Sequence, residues 1–335
     1  MHVDDDQWAE YLVSSGHVPP GVTAKDLRAN YEAPSIVIIG LFTVLAILAV
    51  ALRLISRRYV IKRFGVGLDD GLALASLATL MPFVASCLYI IALGMARHPE
   101  FMAFFGTEAQ FVTIEVTDTA AHLIYSTSLW LCRISGLAFY YRMCSLHQEF
   151  LVCIKVFFGL LTVGFVAQVL VVFFHCWPLS LLWRPYPGIY KCMEWTTVAV
   201  IVSAISLACD LLLFGIPAAM LWVLKSSRKK KIQLACILLP GVFVTGISVA
   251  RVVLVVWDGR ATAQEYTFTF LKILCVEVAE ISATLITLSI PGIKPMFDKY
   301  ILRKDIDGTV SGRNSPAMER QDTAQKNPAL NEWMD

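Results

Sequence analysis

The sequence predicts an all-α integral membrane protein, a seven-transmembrane-helix bundle whose N-terminus lies outside or in a lumen and whose C-terminus is cytosolic. Three observations predict this class: the composition, the apolar runs and the distribution of basic residues. The chain is 57% hydrophobic and only 16% charged, whereas soluble domains hold about 25% charged residues. The middle of the chain is therefore expected to lie in a membrane.

Seven apolar runs are long enough to cross a bilayer, which takes about 17 to 25 residues. They are 35–56, 71–94, 117–142, 150–175, 196–224, 232–257 and 266–292. We accordingly divide the chain into an N-terminal extramembrane segment (1–34), a seven-helix membrane domain (35–300) and a disordered cytosolic tail (301–335), which is polar and aperiodic.

The N-terminal segment does not resemble a secretory signal peptide, because it opens with the acidic run Asp4–Asp6 rather than with basic residues. The first apolar run is then the targeting signal. The stretch "WAEYL" (8–12) fits either a short interfacial helix or a disordered stub.

Orientation follows from the Lys and Arg residues of the short loops, which favour the cytosolic side. The first, third and fifth loops and the C-terminal flank are basic; the other three loops are poorer. The basic residues are Arg57, Arg58, Lys62, Arg63, Arg142, Lys225, Arg228, Lys229, Lys230, Lys231, Lys294, Lys299, Arg303 and Lys304. The basic loop 225–231 is either an anchor at the membrane surface or a contact for a cytosolic signalling partner or lipid headgroups.

Two of the nine cysteines, Cys176 and Cys192, fall in the fourth, outward-facing loop. An oxidising compartment would let them form a disulfide. By constraining the unfolded chain, the disulfide would stabilise the folded state by about 3 kcal/mol. The alternative is two free thiols at the membrane rim. His98, His122 and His175 lie near the same surface without the i, i+4 spacing of a helical zinc site, so we expect no metal.

Five charged residues fall inside the predicted spans, near the membrane midplane or within a few turns of it: Arg133, Asp210, Arg251, Glu277 and Glu280. An unpaired carboxylate at the centre of a bilayer costs about 2.5 to 3.5 kcal/mol on insertion scales. Each of the five extends a polar stripe at helical spacing, so these faces are expected to point into the bundle. Asp210 is then expected to pair with Arg133 or Arg251.

This charge network has two interpretations. It lines a functional pocket, as intramembrane ionisable residues often do, or it fixes the helix packing as polar contacts do. Asp69 and Asp70, at the start of the second span, suit the first turn of a helix. We interpret them as capping and anchoring residues beside Arg57, Arg58, Lys62 and Arg63.

From about residue 35 to 300 the chain resembles the fungal rhodopsin-like integral membrane domain, also called the satratoxin-cluster membrane-protein family. The landmarks stand in order: "RLISRRYVIKRFGVGLDD", "GMARH", "YSTSLWLCRISGLAFYYR", "FFHCWPLSLLW…GIYKC", "CDLLLFGIPAAMLW", "GVFVTGISVAR" and "EISATLITLSIPGIKP". The chain departs from the family at Arg133, usually Lys, and at Ser206 and Ser282, usually Asn.

The resemblance implies a seven-helix, receptor-like protein, and many members of the family are encoded beside secondary-metabolite pathways. It does not imply retinal, because the lysine that binds retinal should stand in the middle of the seventh span. Lys272, the only lysine in the seventh run, lies about two turns from the outer end of that run. The short outer segment also lacks the cysteine-rich CFEM module of a related receptor group.

Three functions are compatible with these features. The first is a bundle pocket for a lipophilic small molecule, in a sensor or accessory protein of fungal secondary metabolism. The second is a cofactor-free intramembrane cyclase or isomerase, with Asp210 and Glu280 as acid or base and Arg133 and Arg251 stabilising negative charge. The third is a proton-coupled carrier. Membrane lipids are the expected surroundings, and we expect no cofactor and no nucleic-acid partner.

Overall fold

The computed structural model describes residues 5–16, 18, 23–27, 30–60, 67–97, 106–143, 148–177, 192–223, 228–258 and 266–300. Within these residues the fold consists of helices. Two are short: α1 (Asp5–Ser14) and α2 (Ala24–Leu27). Seven are long: α3 (Glu32–Ile55), α4 (Leu68–Ile90), α5 (Glu108–Met143), α6 (Gln148–Phe173), α7 (Trp195–Val223), α8 (Arg228–Asp258) and α9 (Tyr266–Tyr300). Single π-helical turns, Ser56–Val60 and Ile91–Met95, extend α3 and α4.

Six of these helices contain a segment long and apolar enough to cross a membrane. The segments are Glu32–Arg58, Leu68–Met95, Leu151–Phe173, Trp195–Ile216, Pro240–Trp257 and Phe270–Ile293. Each overlaps one of the apolar runs of the sequence. The remaining run, 117–142, lies inside α5, which is long but more polar because it carries Asp118, His122 and Arg133.

The seven long helices form a closed ring in chain order, since each packs on the next and α9 packs on α3. Helices α5 and α9 also contact each other across the ring. The apolar segment of α9 is 83% buried, against 17% for that of α6. Helix α9 is therefore the central helix and α6 a peripheral one.

Apolar side chains also cover the outside of the ring. On α3, Val37, Leu41, Val44 and Leu48 are exposed, one helical turn or so apart. Such a continuous apolar surface suits lipid rather than water. The main core lies inside, between α3, α4, α5 and α9, and a second cluster joins α5, α6 and α7.

The first two helices form a small unit outside the ring. Ala9 and Leu12 of α1 pack with Leu27 of α2. The stretch 8–12 is thus helical, which resolves the choice left open by the sequence. The tail 301–335 and the loop residues 224–227 lie outside the described residues.

Candidate functional site

The five charged residues expected inside the bundle come together in one network of buried side chains. Helix α5 contributes Arg133, α7 Asp210, α8 Arg251, and α9 both Glu277 and Glu280. None is more than 4% exposed. Because they meet between four helices, these side chains face one another and not lipid.

Asp210 is held by two donors from two neighbouring helices. Arg133 Nε donates to its Oδ1 over 2.9 Å, and Ser248 Oγ donates to its Oδ2 over 2.7 Å. Arg133 Nη2 also donates to Ser206 Oγ and to the Ser206 carbonyl oxygen. Of the two arginines considered as partners, Arg133 is therefore the one that pairs with Asp210.

Glu280 lies at the centre of the network and accepts from four side chains. Its Oε1 is 3.0 Å from Ser206 Oγ and 3.1 Å from Ser248 Oγ; its Oε2 is 2.6 Å from Tyr125 OH and 3.3 Å from Arg251 Nη1. Ser248 has one hydroxyl hydrogen but two carboxylates within reach. The hydrogen bonding of Asp210 and Glu280 is therefore coupled.

Arg251 connects Glu280 to Glu277. Its Nη2 donates to Glu277 Oε1 over 2.9 Å, its Nη1 also contacts Tyr125 OH, and its Cζ lies 4.5 Å from the centroid of the Tyr125 ring. A guanidinium group offers five N–H donors in a planar fork, so one arginine can hold two carboxylates and a phenol. Sequence reasoning missed Tyr125, although it is one turn from His122 on the polar face of α5.

A cleft borders this network on the side away from His122. Its walls are mostly apolar, and Asp210 is among the residues that line it. Its lining residues are Tyr140, Asp210, Leu213, Phe214, Gly241, Val244, Thr245, Thr284, Thr287 and Leu288. We call it the Asp210 cleft. Glu280, the other acid expected to react in an enzyme, is fully buried and does not line it.

A second ionic cluster lies at one end of the bundle, which we call the basic end. Arg53 is 1% exposed and donates to Asp70 Oδ1 over 2.8 Å and to Asp69 Oδ2 over 3.0 Å. Arg57 and Arg142 also pair with Asp69. Asp69 and Asp70 stand in the first turn of α4 beside Arg57, as expected. Their interpretation as caps was wrong: Gly67 is the N-cap, no side-chain hydrogen bond caps the helix, and the two carboxylates are buried in ion pairs.

Arg53 was missed because one arginine near the end of an apolar run is typical of a residue that extends to the headgroups. Of the partners expected for the two aspartates, Lys62 and Arg63 lie outside the described residues. Arg53 makes one further contact: its Nη1 donates to the Leu288 carbonyl oxygen of α9 over 2.7 Å. Since Leu288 also lines the Asp210 cleft, one residue contacts both features.

The opposite end of the bundle carries a disulfide between Cys176 and Cys192, whose sulfurs are 2.06 Å apart. We call it the disulfide end. Near it, the rings of His122 and His175 both contact the Trp195 ring. His98 and the basic loop residues 225–227 lie outside the described residues, as do the side chains of 228–231.

Transmembrane segments surrounding buried ion pairs define the class of this protein: it is an integral, multi-pass, all-helical membrane protein. The family model for the fungal rhodopsin domain matches residues 52–299. The chain therefore belongs to the fungal rhodopsin domain family. A search of curated proteins found no match, and a search of solved structures found none.

The family name suggests a lysine that binds retinal inside the bundle, so the position of Lys272 is of interest. Its side chain is exposed on α9, whereas the neighbouring residues Leu271, Ile273 and Leu274 are buried. The residue therefore does not project into the network of ion pairs.

Proposed function

We propose that this protein is a seven-transmembrane sensor that binds a small lipophilic molecule in the Asp210 cleft. The observation that carries the proposal is the double role of Leu288. Its side chain lines the cleft, while its carbonyl oxygen accepts from Arg53 in the ionic cluster at the basic end. A ligand that moves Leu288 therefore acts on contacts at the basic end.

The lining of the cleft fits such a ligand. Ligand sites are mostly apolar and supplied with a few polar groups that orient the molecule. Thr284 and Thr287 provide hydroxyl groups on α9, and Tyr140 provides one on α5. To accept a hydrogen bond from a donor group on the ligand, Asp210 gives up its hydrogen bond with Ser248 or with Arg133.

The proposal includes seven spans, with α5 as the third, and an outward-facing disulfide end. Support for this orientation comes from the two ends of the bundle. Disulfides persist in oxidising compartments, and the Cys176–Cys192 bond lies at the end opposite Arg57 and Arg142. Basic residues favour the cytosolic side, so both features indicate the same orientation.

The direct test uses two threonine variants. Thr245 lines the cleft and donates to the carbonyl oxygen one turn earlier; Thr162 makes the same bond on α6 and does not line the cleft. We expect Thr245→Leu to fill the cleft and Thr162→Leu to leave it open. Mass spectrometry of small molecules that copurify from native membranes should find one retained by wild type and Thr162→Leu and lost from Thr245→Leu. Equal retention by both variants contradicts a ligand in this cleft.

The association with secondary metabolism and the choice between sensor and enzyme need a separate experiment. It compares metabolite profiles of a gene deletion complemented with wild type, Asp210→Asn or Glu280→Gln. For a sensor, we expect the same metabolites in altered amounts. A precursor that accumulates and that neither inserted variant clears would identify a cyclase or isomerase instead, while flux dependent on the proton gradient would identify a carrier.

A further inference from the structure

The two histidines whose rings contact Trp195 differ in their hydrogen bonding: that of His175 is ordinary, and that of His122 is not. His175 Nδ1 is 2.7 Å from the Val172 carbonyl oxygen. His122 Nδ1 is 2.9 Å from the Asp118 carbonyl oxygen and 3.3 Å from Asp118 Oδ1, while its Nε2 is 3.3 Å from Glu277 Oε1. Both nitrogens of His122 therefore face oxygens.

This geometry specifies where protons must be. A carbonyl oxygen only accepts, so Nδ1 carries hydrogen toward Asp118. In a neutral ring the other nitrogen is then a bare acceptor, and Nε2 would face an ionised carboxylate with no hydrogen between them. A proton on Nε2 or on Glu277 removes that repulsion.

The charge of the surrounding network leads to the same requirement. Asp118, His122 and Glu277 connect through Arg251 and Glu280 to the pair formed by Arg133 and Asp210. Among the described residues this network contains four carboxylates and two guanidinium groups, all at most 6% exposed. Two negative charges are left unbalanced at low dielectric, where burying an uncompensated charge is costly.

A third observation is independent of charge. Glu277 Oε2 is buried without a hydrogen-bond partner, although Glu277 is 0% exposed. Buried polar atoms of this kind call for an explanation. His122 also lines a second cleft at the disulfide end, together with Trp195, Thr196, Val255 and Phe270, which gives protons from water access to the ring.

We propose that His122 and Glu277 form a proton-binding site that takes up one proton from water through the cleft at the disulfide end. The bound proton joins α5 to α9 by completing the contact between the ring and the carboxylate. No electron transfer is involved: water in the cleft supplies the proton and takes it back. This site is independent of the ligand proposed for the Asp210 cleft.

Other ionisable groups surround the site on several helices. Asp118 and Tyr125 lie on α5, Arg251 on α8, and Glu280 on α9. From α4, Cys87 interacts electrostatically with Glu277 and Asp118. Helix α7 presents Trp195, which does not titrate, and beyond it lies His175. Of the described groups in direct contact at the site, His122 is the one histidine, the side chain that ordinarily titrates between pH 5 and 8.

The test measures the folding equilibrium of the full chain in lipid nanodiscs as a function of pH. Above about pH 6.5, where an unfolded histidine loses its proton, a folded state that keeps one proton more than the unfolded state makes the folding constant fall tenfold for each unit that pH rises. We expect this one-proton dependence in wild type and in the control His175→Gln, and its loss in His122→Gln. A wild-type dependence that His122→Gln retains in full contradicts the site.

A second measurement covers the case in which His122→Gln does not fold. The other five histidines are replaced by Gln, and ¹⁵N NMR reads the protonation of the remaining ring while infrared spectroscopy detects protonated carboxylic acids. We expect either a doubly protonated ring or a neutral ring together with one protonated acid whose infrared signal Glu277→Gln removes. A neutral ring with bare Nε2 and no protonated acid overturns the proposal.

Discussion

At the residue scale, Asp210 shows why an apolar helix can contain a carboxylate. Each of its oxygens accepts a hydrogen bond, from Arg133 and from Ser248. Neither partner is on the same helix, so the carboxylate is satisfied only in the assembled bundle. Its cost in the bilayer is offset by contacts that form when α5, α7 and α8 pack together.

This pairing makes the two substitutions Asp210→Leu and Arg133→Met strongly non-additive. Either alone breaks the buried ion pair, leaving Arg133 with the more distant Glu280 at 3.9 Å or Asp210 with Ser248, and breaking such a pair costs about 3 to 5 kcal/mol. Together they replace an ion pair by apolar side chains, and most of that loss should be recovered. A double-mutant cycle of unfolding in detergent measures the coupling, and additive losses would show that the pair contributes no coupling.

The five charged residues of the network could be predicted from the sequence because charges are rare in apolar runs and their helical spacing is visible. Tyr125 and Asp118 could not, since a tyrosine is common in membrane helices and Asp118 stands near the end of its run. Partner choice was also beyond the sequence. Whether Asp210 meets Arg133 or Arg251 depends on how α7 is rotated and how far it is shifted along its axis, and side-chain spacing on one helix does not specify either.

At the scale of helices, close approach between α5 and α9 depends on Gly136. A Cβ at this position would lie 2.8 Å from Leu288 Cδ2, so the glycine gives Leu288 its space. The same Leu288 lines the Asp210 cleft and contacts Arg53. The spacing of these two helices therefore affects both the cleft and the basic end.

We expect Gly136→Ala to destabilise the bundle by about 1 to 3 kcal/mol, the usual effect of overpacking. Gly159→Ala on α6 is the matched control, because a Cβ there meets nothing within 4 Å. It should be neutral or stabilising by about 0.5 to 1 kcal/mol, the gain of alanine over glycine in a helix. Thermal unfolding of both variants measures the difference, and equal stabilities would mean that Leu288 adjusts without strain.

At the scale of the whole molecule, the ring of helices runs in chain order, but the central position of α9 could not be predicted from the sequence. The sequence shows α9 to be apolar with two acids, as it shows α7 to be apolar with one. Only packing reveals that α9 is buried on most sides while α6 faces outward. The ionic cluster at the basic end could not be predicted for a related reason. Its residues come from the ends of three helices, α3, α4 and α5, and only packing brings these ends together.

The proposed orientation predicts where added glycans appear. The sequence has no Asn-x-Ser/Thr acceptor site, so an introduced one reports its own location. A site introduced into the N-terminal segment should be glycosylated in fungal cells, and one introduced into the tail after residue 300 should not. Gel mobility before and after deglycosylation gives the result, and glycosylation of the tail alone would reverse the orientation.

The central position of α9 has a consequence for biosynthesis. As the last of the long helices that the structure describes, it leaves the ribosome after α3 to α8, yet it carries the two glutamates that bind Arg251. Until it arrives, the nascent protein holds Arg251 in the membrane without either carboxylate. Assembly of the bundle therefore completes only after α9 has been made, and chains cut short before residue 266 should be recognised by membrane quality control and degraded.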